Sequence, residues 1–126
     1  MARKTLGVGI IGTGFIGKFH IRSWVGVRDA DIMGIVDKSP QTAESGAALV
    51  RQLGVGDPKI YPTITDMVAD PAIEAIWICS PNFARLEVME EIVHAVESGK
   101  GSLIGVACEK PLGRNVREAR KMLELV

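Results

Sequence analysis

The sequence predicts an α/β fold: a doubly wound parallel sheet with helices on both of its faces. Three observations carry that expectation. Apolar runs of strand length alternate with amphipathic segments of helical period along the whole chain. The first run, Leu6 to Ile11, hands over to a helix through Gly12-Thr13-Gly14-Phe15-Ile16-Gly17. The second run, Asp31 to Val36, ends on an acid, Asp37, which stands twenty residues after Gly17.

Read in order, the pattern predicts strands near 5–11, 31–36, 59–61, 74–79 and 103–108, and helices near 15–26, 41–53, 64–69, 83–98 and 115–125. The helix from Ala84 to Ser98 places Leu86, Met89, Ile92, Val93 and Val96 on one face, sets Glu87, Glu90, Glu91 and Glu97 between them, and stops at Gly99. Right-handed crossovers then give a sheet covered on both sides. A full fold of this type commonly has six strands, so five strands leave the sheet incomplete at its C-terminal end. No internal repeat, low-complexity tract or linker divides residues 1–126, which read as one domain.

The glycines of the first turn have separate tasks. Gly12 permits a tight exit from the strand, Gly14 lets the backbone approach a pyrophosphate without a Cβ in the way, and Gly17 lets the helix pack closely on the sheet. The first N–H groups of that helix face the phosphates, and its dipole favours their charge. Strand, glycine turn, helix and a following acid together predict a Rossmann-type dinucleotide site. Asp37 would accept hydrogen bonds from an adenosine ribose and repel a 2′-phosphate, which favours NAD over NADP; the adjacent Lys38 offsets part of that repulsion. The alternative is an Asp that merely caps the turn before Ser39-Pro40.

Composition narrows the function classes. Fifteen basic and fifteen acidic residues cancel, which gives no electrostatic reason to expect a nucleic acid or an anionic membrane as partner. No apolar stretch is long enough to span a bilayer, and the basic start Met1-Ala2-Arg3-Lys4 precedes too short an apolar run for a secretory signal. The cytoplasm is the expected location. Cys79 and Cys108 have no metal-ligand spacing and read as reduced, buried thiols.

Two further segments fall at the carboxyl ends of the fourth and fifth strands, where open α/β sheets bind ligands. In Ser80-Pro81-Asn82, Asn82 offers a donor and an acceptor suited to a ribose hydroxyl or a carboxamide, although a plain turn before the helix explains the segment as well. In Cys108-Glu109-Lys110-Pro111, a charged pair ends an apolar strand, which is costly unless the pair is partnered or working. Lys110 could donate to a substrate beside the nicotinamide, with partial desolvation tuning it for acid–base chemistry; a structural salt bridge is the alternative. His20 reads as a packing or hydrogen-bonding residue, because no carboxylate partner is placed by sequence; His94 reads as solvated, and Trp24 and Trp77 as packing residues.

Taken together, Gly12 to Gly17 with His20, Asp37, Ser80-Pro81-Asn82 and Cys108-Glu109-Lys110-Pro111 resemble the N-terminal domain of the Gfo/Idh/MocA oxidoreductases over essentially the whole chain. The resemblance implies an NAD- or NADP-dependent enzyme moving hydride between nicotinamide and a hydroxyl-bearing carbon of a sugar, polyol or related compound. It implies that Gly12, Gly14, Phe15, Ile16 and Gly17 hold the pyrophosphate, Asp37 the ribose, and Ser80, Pro81 and Asn82 the nicotinamide half. Glu109 would stand near the cofactor, and Lys110 would orient the substrate and help its hydroxyl lose a proton.

The resemblance also implies a second α/β domain that carries the substrate and a His or Asp-His pair, to which nothing here corresponds. On that reading the chain binds cofactor without turnover. Relatives pair mostly through the second domain, so uncovered apolar surface would make this chain prone to form homo-oligomers. Two departures touch the site: many relatives have a histidine where this chain has Arg85, and the stretch from Gly99 to Ala107 is longer than usual. A free-standing dinucleotide sensor and an S-adenosylmethionine-dependent methyltransferase are the competing readings.

Overall fold

Successive residues of the first strand point to opposite sides of one sheet, and that alternation organises the chain. A computed structural model describes residues 5–126; the basic start at residues 1–4 lies outside the described residues. Five parallel strands, β1 (Leu6–Ile11), β2 (Ala30–Val36), β3 (Lys59–Ile60), β4 (Ala75–Ile78) and β5 (Gly105–Cys108), lie in the order β3-β2-β1-β4-β5. The helices are α1 (Phe15–Ser23), α2 (Pro40–Leu53), α3 (Ile64–Ala69), α4 (Arg85–Glu97) and α5 (Val116–Leu125). The doubly wound Rossmann-type fold is the one the alternation predicts.

From β1 the chain steps outward to β2 and β3, then returns to lay β4 on the other flank of β1. The order therefore reverses between β1 and β4, and the carboxyl ends of those two strands open a crevice between diverging loops. Ile10 packs with Ile21, Ala43, Ala47 and Val50 under α1 and α2. Its neighbour Ile11 packs with Met67, Val88, Met89 and Ile92 under α3 and α4. Side-chain caps start three of the helices: Ser39 accepts from the Thr42 N–H, Thr63 from Asp66 and Asn115 from Glu118. At α1 the cap is Gly14, which brings no side chain to the first turn.

The structure corrects four local expectations. The first helix ends at Ser23 and tightens into a 3-10 turn over Trp24–Gly26, because Trp24 turns inward and its indole donates to the Ala30 carbonyl at 2.9 Å. The third strand is two residues long. On α4 the buried face is Arg85, Val88, Met89, Ile92 and Ala95, with Val96 exposed, so the stripe is rotated from the one expected. The sheet is also not covered on both faces throughout. Gly105, Val106 and Ala107 of β5 are exposed. On the α1 side an apolar groove of about 390 Å³ runs between Trp24, Val27, Trp77 and Ala107.

His94 is exposed, as expected. Trp24 and Trp77 pack edge to face with ring centroids 6.1 Å apart. Among the described residues no helix is long and apolar enough to cross a membrane.

Candidate functional site

The glycine turn is built by close contacts that only glycine permits. Gly12 adopts φ +91°, and a Cβ there would stand 2.8 Å from the Ser80 nitrogen, so the turn lies directly against the exit of β4. A Cβ on Gly17 would stand 2.1 Å from the Gly12 carbonyl oxygen, which closes the turn onto the first turn of α1. Gly14 is the opposite case: a Cβ there would meet nothing within 4 Å. Open space thus lies in front of the start of α1, where the helix's first N–H groups have no intrahelical partner. Phe15 and Ile16 follow with exposed side chains, which leaves their main chain as what they offer a ligand in the turn.

Thr13, the variable residue between the first two glycines, is fully buried. Its N–H donates to Asp37 Oδ2 at 2.8 Å, and its hydroxyl proton is shared between that oxygen at 3.1 Å and the Thr42 carbonyl at 3.0 Å. Asp37 Oδ1 accepts from the Ser39 N–H at 2.8 Å. Asp37 therefore does cap its own turn, and it also ties the end of β2 to the glycine turn. A carboxylate has about four acceptor sites, so this arrangement leaves one on Oδ1. Lys18 donates from Nζ to the Thr13 carbonyl at 2.9 Å, holding the turn from the helix side. Lys38 is exposed.

On the other flank of the crevice, Ser80 is buried and its hydroxyl has no partner among the described residues, so its main chain borders the opening. Pro81 is exposed and Asn82 half-buried. The half-buried Glu109 donates its N–H to the Ile78 carbonyl at 3.0 Å, and its Oε2 accepts from the Lys110 N–H. Its Oε1 stands 2.5 Å from His20 Nε2 on α1. The charged pair at the end of β5 is thus resolved as a partnered Glu109 beside an exposed Lys110, which makes no salt bridge among the described residues and is not desolvated by them.

Hydrogen bonding to His20 holds the Glu109 carboxyl below its ordinary value. A carboxyl depressed by folding stabilises the fold above its unfolded pKa, and that contribution is lost as the pH falls through the folded one. Glu109→Gln should therefore cost about 1 kcal/mol at neutral pH, and the gap from the parent should narrow as the pH falls through the lowered pKa of the folded carboxyl. Urea unfolding from neutral pH downward measures it; a gap that does not narrow with acidification would show that the carboxylate's charge plays no part. Burial pushes the Cys79 thiol up to about 12, and Cys108 is raised for the same reason, which disfavours the reactive thiolate.

The structure brings Gly12, Gly17, Asp37, Ser80 and Glu109 to one carboxyl edge, either directly or through Thr13 and His20. Three contributors escaped sequence reasoning, the buried Thr13, Lys18 and the His20–Glu109 pairing, and Arg85, noted there as a departure beside the site, proves to be buried. The residues present fit a dinucleotide: an open cradle at Gly14, an uncapped helix start and a carboxylate at the end of β2.

The model of the family described as "Oxidoreductase family, NAD-binding Rossmann fold" (GFO_IDH_MocA) matches residues 6–126. The chain belongs to that family. Over 123 residues it is 33% identical to inositol 2-dehydrogenase 3 of Saccharopolyspora erythraea, covering 95% of this chain and 32% of that protein. It is 30% identical over 115 residues to glucose-6-phosphate 3-dehydrogenase of Bacillus subtilis, covering 91% of this chain and 29% of that one. Among solved structures, the myo-inositol dehydrogenase of Lactobacillus casei in complex with NAD(H) and myo-inositol superposes with a TM-score of 0.77 at 25% identity. That match covers 96% of this chain and 33% of the other. The chain spans about a third of the length of the relatives it matches.

Proposed function

We propose that the chain is the NAD-binding domain of an oxidoreductase that moves hydride between nicotinamide and a hydroxyl-bearing carbon of a sugar, polyol or related compound. The observation that carries this reading is the tie between Glu109 and His20. It sets the Glu-Lys-Pro loop against the helix that the glycine turn begins, so an acid–base group and a dinucleotide cradle share one crevice. The names of the relatives, dehydrogenases of inositol and of a sugar phosphate, support the substrate class.

When bound, NAD supplies the hydride acceptor. The chain's own residues bind and orient. Main-chain groups of Gly12, Gly14, Phe15, Ile16 and Gly17 would hold the pyrophosphate, and the acceptor site left on Asp37 would take a ribose hydroxyl, with Lys38 beside it. Ser80, Pro81, Asn82 and Glu109 would border the nicotinamide half, and Lys110 would hold the substrate hydroxyl and move its proton. A second domain would close over the substrate, in keeping with the greater length of the relatives, and would supply the contacts for a homo-oligomer. Two free thiols, Cys79 and Cys108, support a reducing, cytoplasmic location.

Calorimetric titration with NAD, NADH, NADP and S-adenosylmethionine tests this reading. Two unit charges ~4 Å apart repel by about 1 kcal/mol in water and about 4 kcal/mol at an effective dielectric of 20. NAD or NADH should therefore bind, NADP should bind at least about tenfold more weakly, and S-adenosylmethionine should not compete. Binding of S-adenosylmethionine alone, or of none of the four, would overturn it.

A further inference from the structure

We infer that Arg85 is the positioning residue of the Lys110 loop, clamping the exits of β4 and β5 into one wall of the crevice. This rests on the reading of the crevice as a nicotinamide-dinucleotide site. An arginine here is unexpected on two physical grounds. It is 5% exposed, and it is the first residue of α4, the helix end at which the dipole disfavours a cation. Among the described residues no carboxylate lies within salt-bridge distance of it. Its charge is met instead by main-chain carbonyls.

Those carbonyls come from two loops. Nε donates to the Ser80 carbonyl at 3.0 Å, and Nη1 donates to the Pro111 carbonyl. The first acceptor ends the β4 exit; the second belongs to the residue directly after Lys110. A guanidinium is a planar fork that satisfies two acceptors from one rigid plane, which a flexible ammonium does not do.

The other side of Lys110 is already fixed, because Glu109 is held by Ile78 on β4 and by His20 on α1. Lys110 itself is exposed and makes no side-chain bond among the described residues. Its direction is therefore set by the backbone on either side: Glu109 anchors one flank and Arg85 the other. With Arg85 absent, the Pro111 carbonyl has no hydrogen-bond partner among the described residues, and beyond the Glu109–Ile78 bond the exits of β4 and β5 are no longer tied to each other. Asp37 lies across the switch point and makes none of the clamp's bonds, and the glycine turn meets the clamp at Ser80, whose nitrogen lies against Gly12 while Arg85 holds its carbonyl, so the adenosine half should feel its loss far less than the nicotinamide half.

Arg85→Lys keeps the charge and loses the fork, and Arg85→Met loses both. Two measurements apply: amide hydrogen exchange of peptides covering residues 79–82 and 109–112, and titration with NAD and with ADP-ribose, which lacks the nicotinamide. In Arg85→Lys, exchange in the two loops should rise about tenfold with the β1 and β2 amides unchanged, and NAD should weaken about tenfold while ADP-ribose changes less than about twofold. Arg85→Met should show the same pattern, larger; if it fails to fold, Arg85→Lys carries the test. Unchanged loop exchange in Arg85→Lys, or equal weakening of both ligands, would overturn the proposal. If the parent chain binds neither ligand, the functional reading falls, and the exchange result still decides whether Arg85 holds the loops.

Discussion

Gly17→Ala is expected to cost the fold about 3 kcal/mol, and Gly14→Ala about 1 kcal/mol or less, yet both should abolish measurable NAD binding. The difference lies in what each added methyl meets. At position 17 it stands 2.1 Å from the Gly12 carbonyl oxygen, a backbone atom that cannot move without opening the turn between β1 and α1. At position 14 it meets nothing within 4 Å, and the backbone there is extended at φ −72°, outside the left-handed region that favours glycine. The methyl at 14 would instead occupy the space in which the main chain of the turn approaches a pyrophosphate. Gly14→Ala thus separates the site from the scaffold. Chemical denaturation and NAD titration of the two variants measure both effects. Full NAD affinity in a folded Gly14→Ala chain would show that the open cradle is not where the dinucleotide lies.

These glycines were legible in the sequence because their constraint is local: three residues at fixed spacing between a strand and a helix. The strands were legible for a related reason, since strands buried on both faces appear as short, nearly continuous apolar runs. What stayed hidden depends on partners far along the chain. Thr13 reads as an arbitrary residue of the motif, yet its place in the core is set by Asp37, 24 residues away. His20 finds its carboxylate 89 residues on, at the end of the fifth strand. Arg85 stands out in the sequence as a departure beside the site, but its burial depends on the Pro111 carbonyl, 26 residues later, which the sequence does not place. The rotation of α4 that exchanged Val96 for Val88 and Ala95 is of the same kind: period shows that a stripe exists, and packing against α3 and α5 decides which stripe turns inward. The open face of β5 escaped because alternation counts crossovers without saying how far each helix reaches.

Lys110→Met is expected to lower turnover of the complete oxidoreductase about a thousandfold while leaving the fold and NAD affinity nearly unchanged. Lys110 is exposed and supports nothing structural among the described residues, so an apolar side chain of similar length costs little stability. What it removes is the ammonium beside the Glu109 anchor, the group that on the proposed reading would hold a substrate hydroxyl and move its proton as hydride leaves the carbon. Lys110→Arg divides the role further. It keeps the positive charge, so substrate binding should be retained in large part, but an arginine stays protonated and cannot accept the hydroxyl's proton. Turnover should then stay low while KM stays near that of the parent. Steady-state formation of NADH by the three proteins distinguishes the cases. Recovery of turnover in Lys110→Arg would reduce the residue's part to electrostatic orientation, and full turnover in Lys110→Met would remove it from the chemistry altogether.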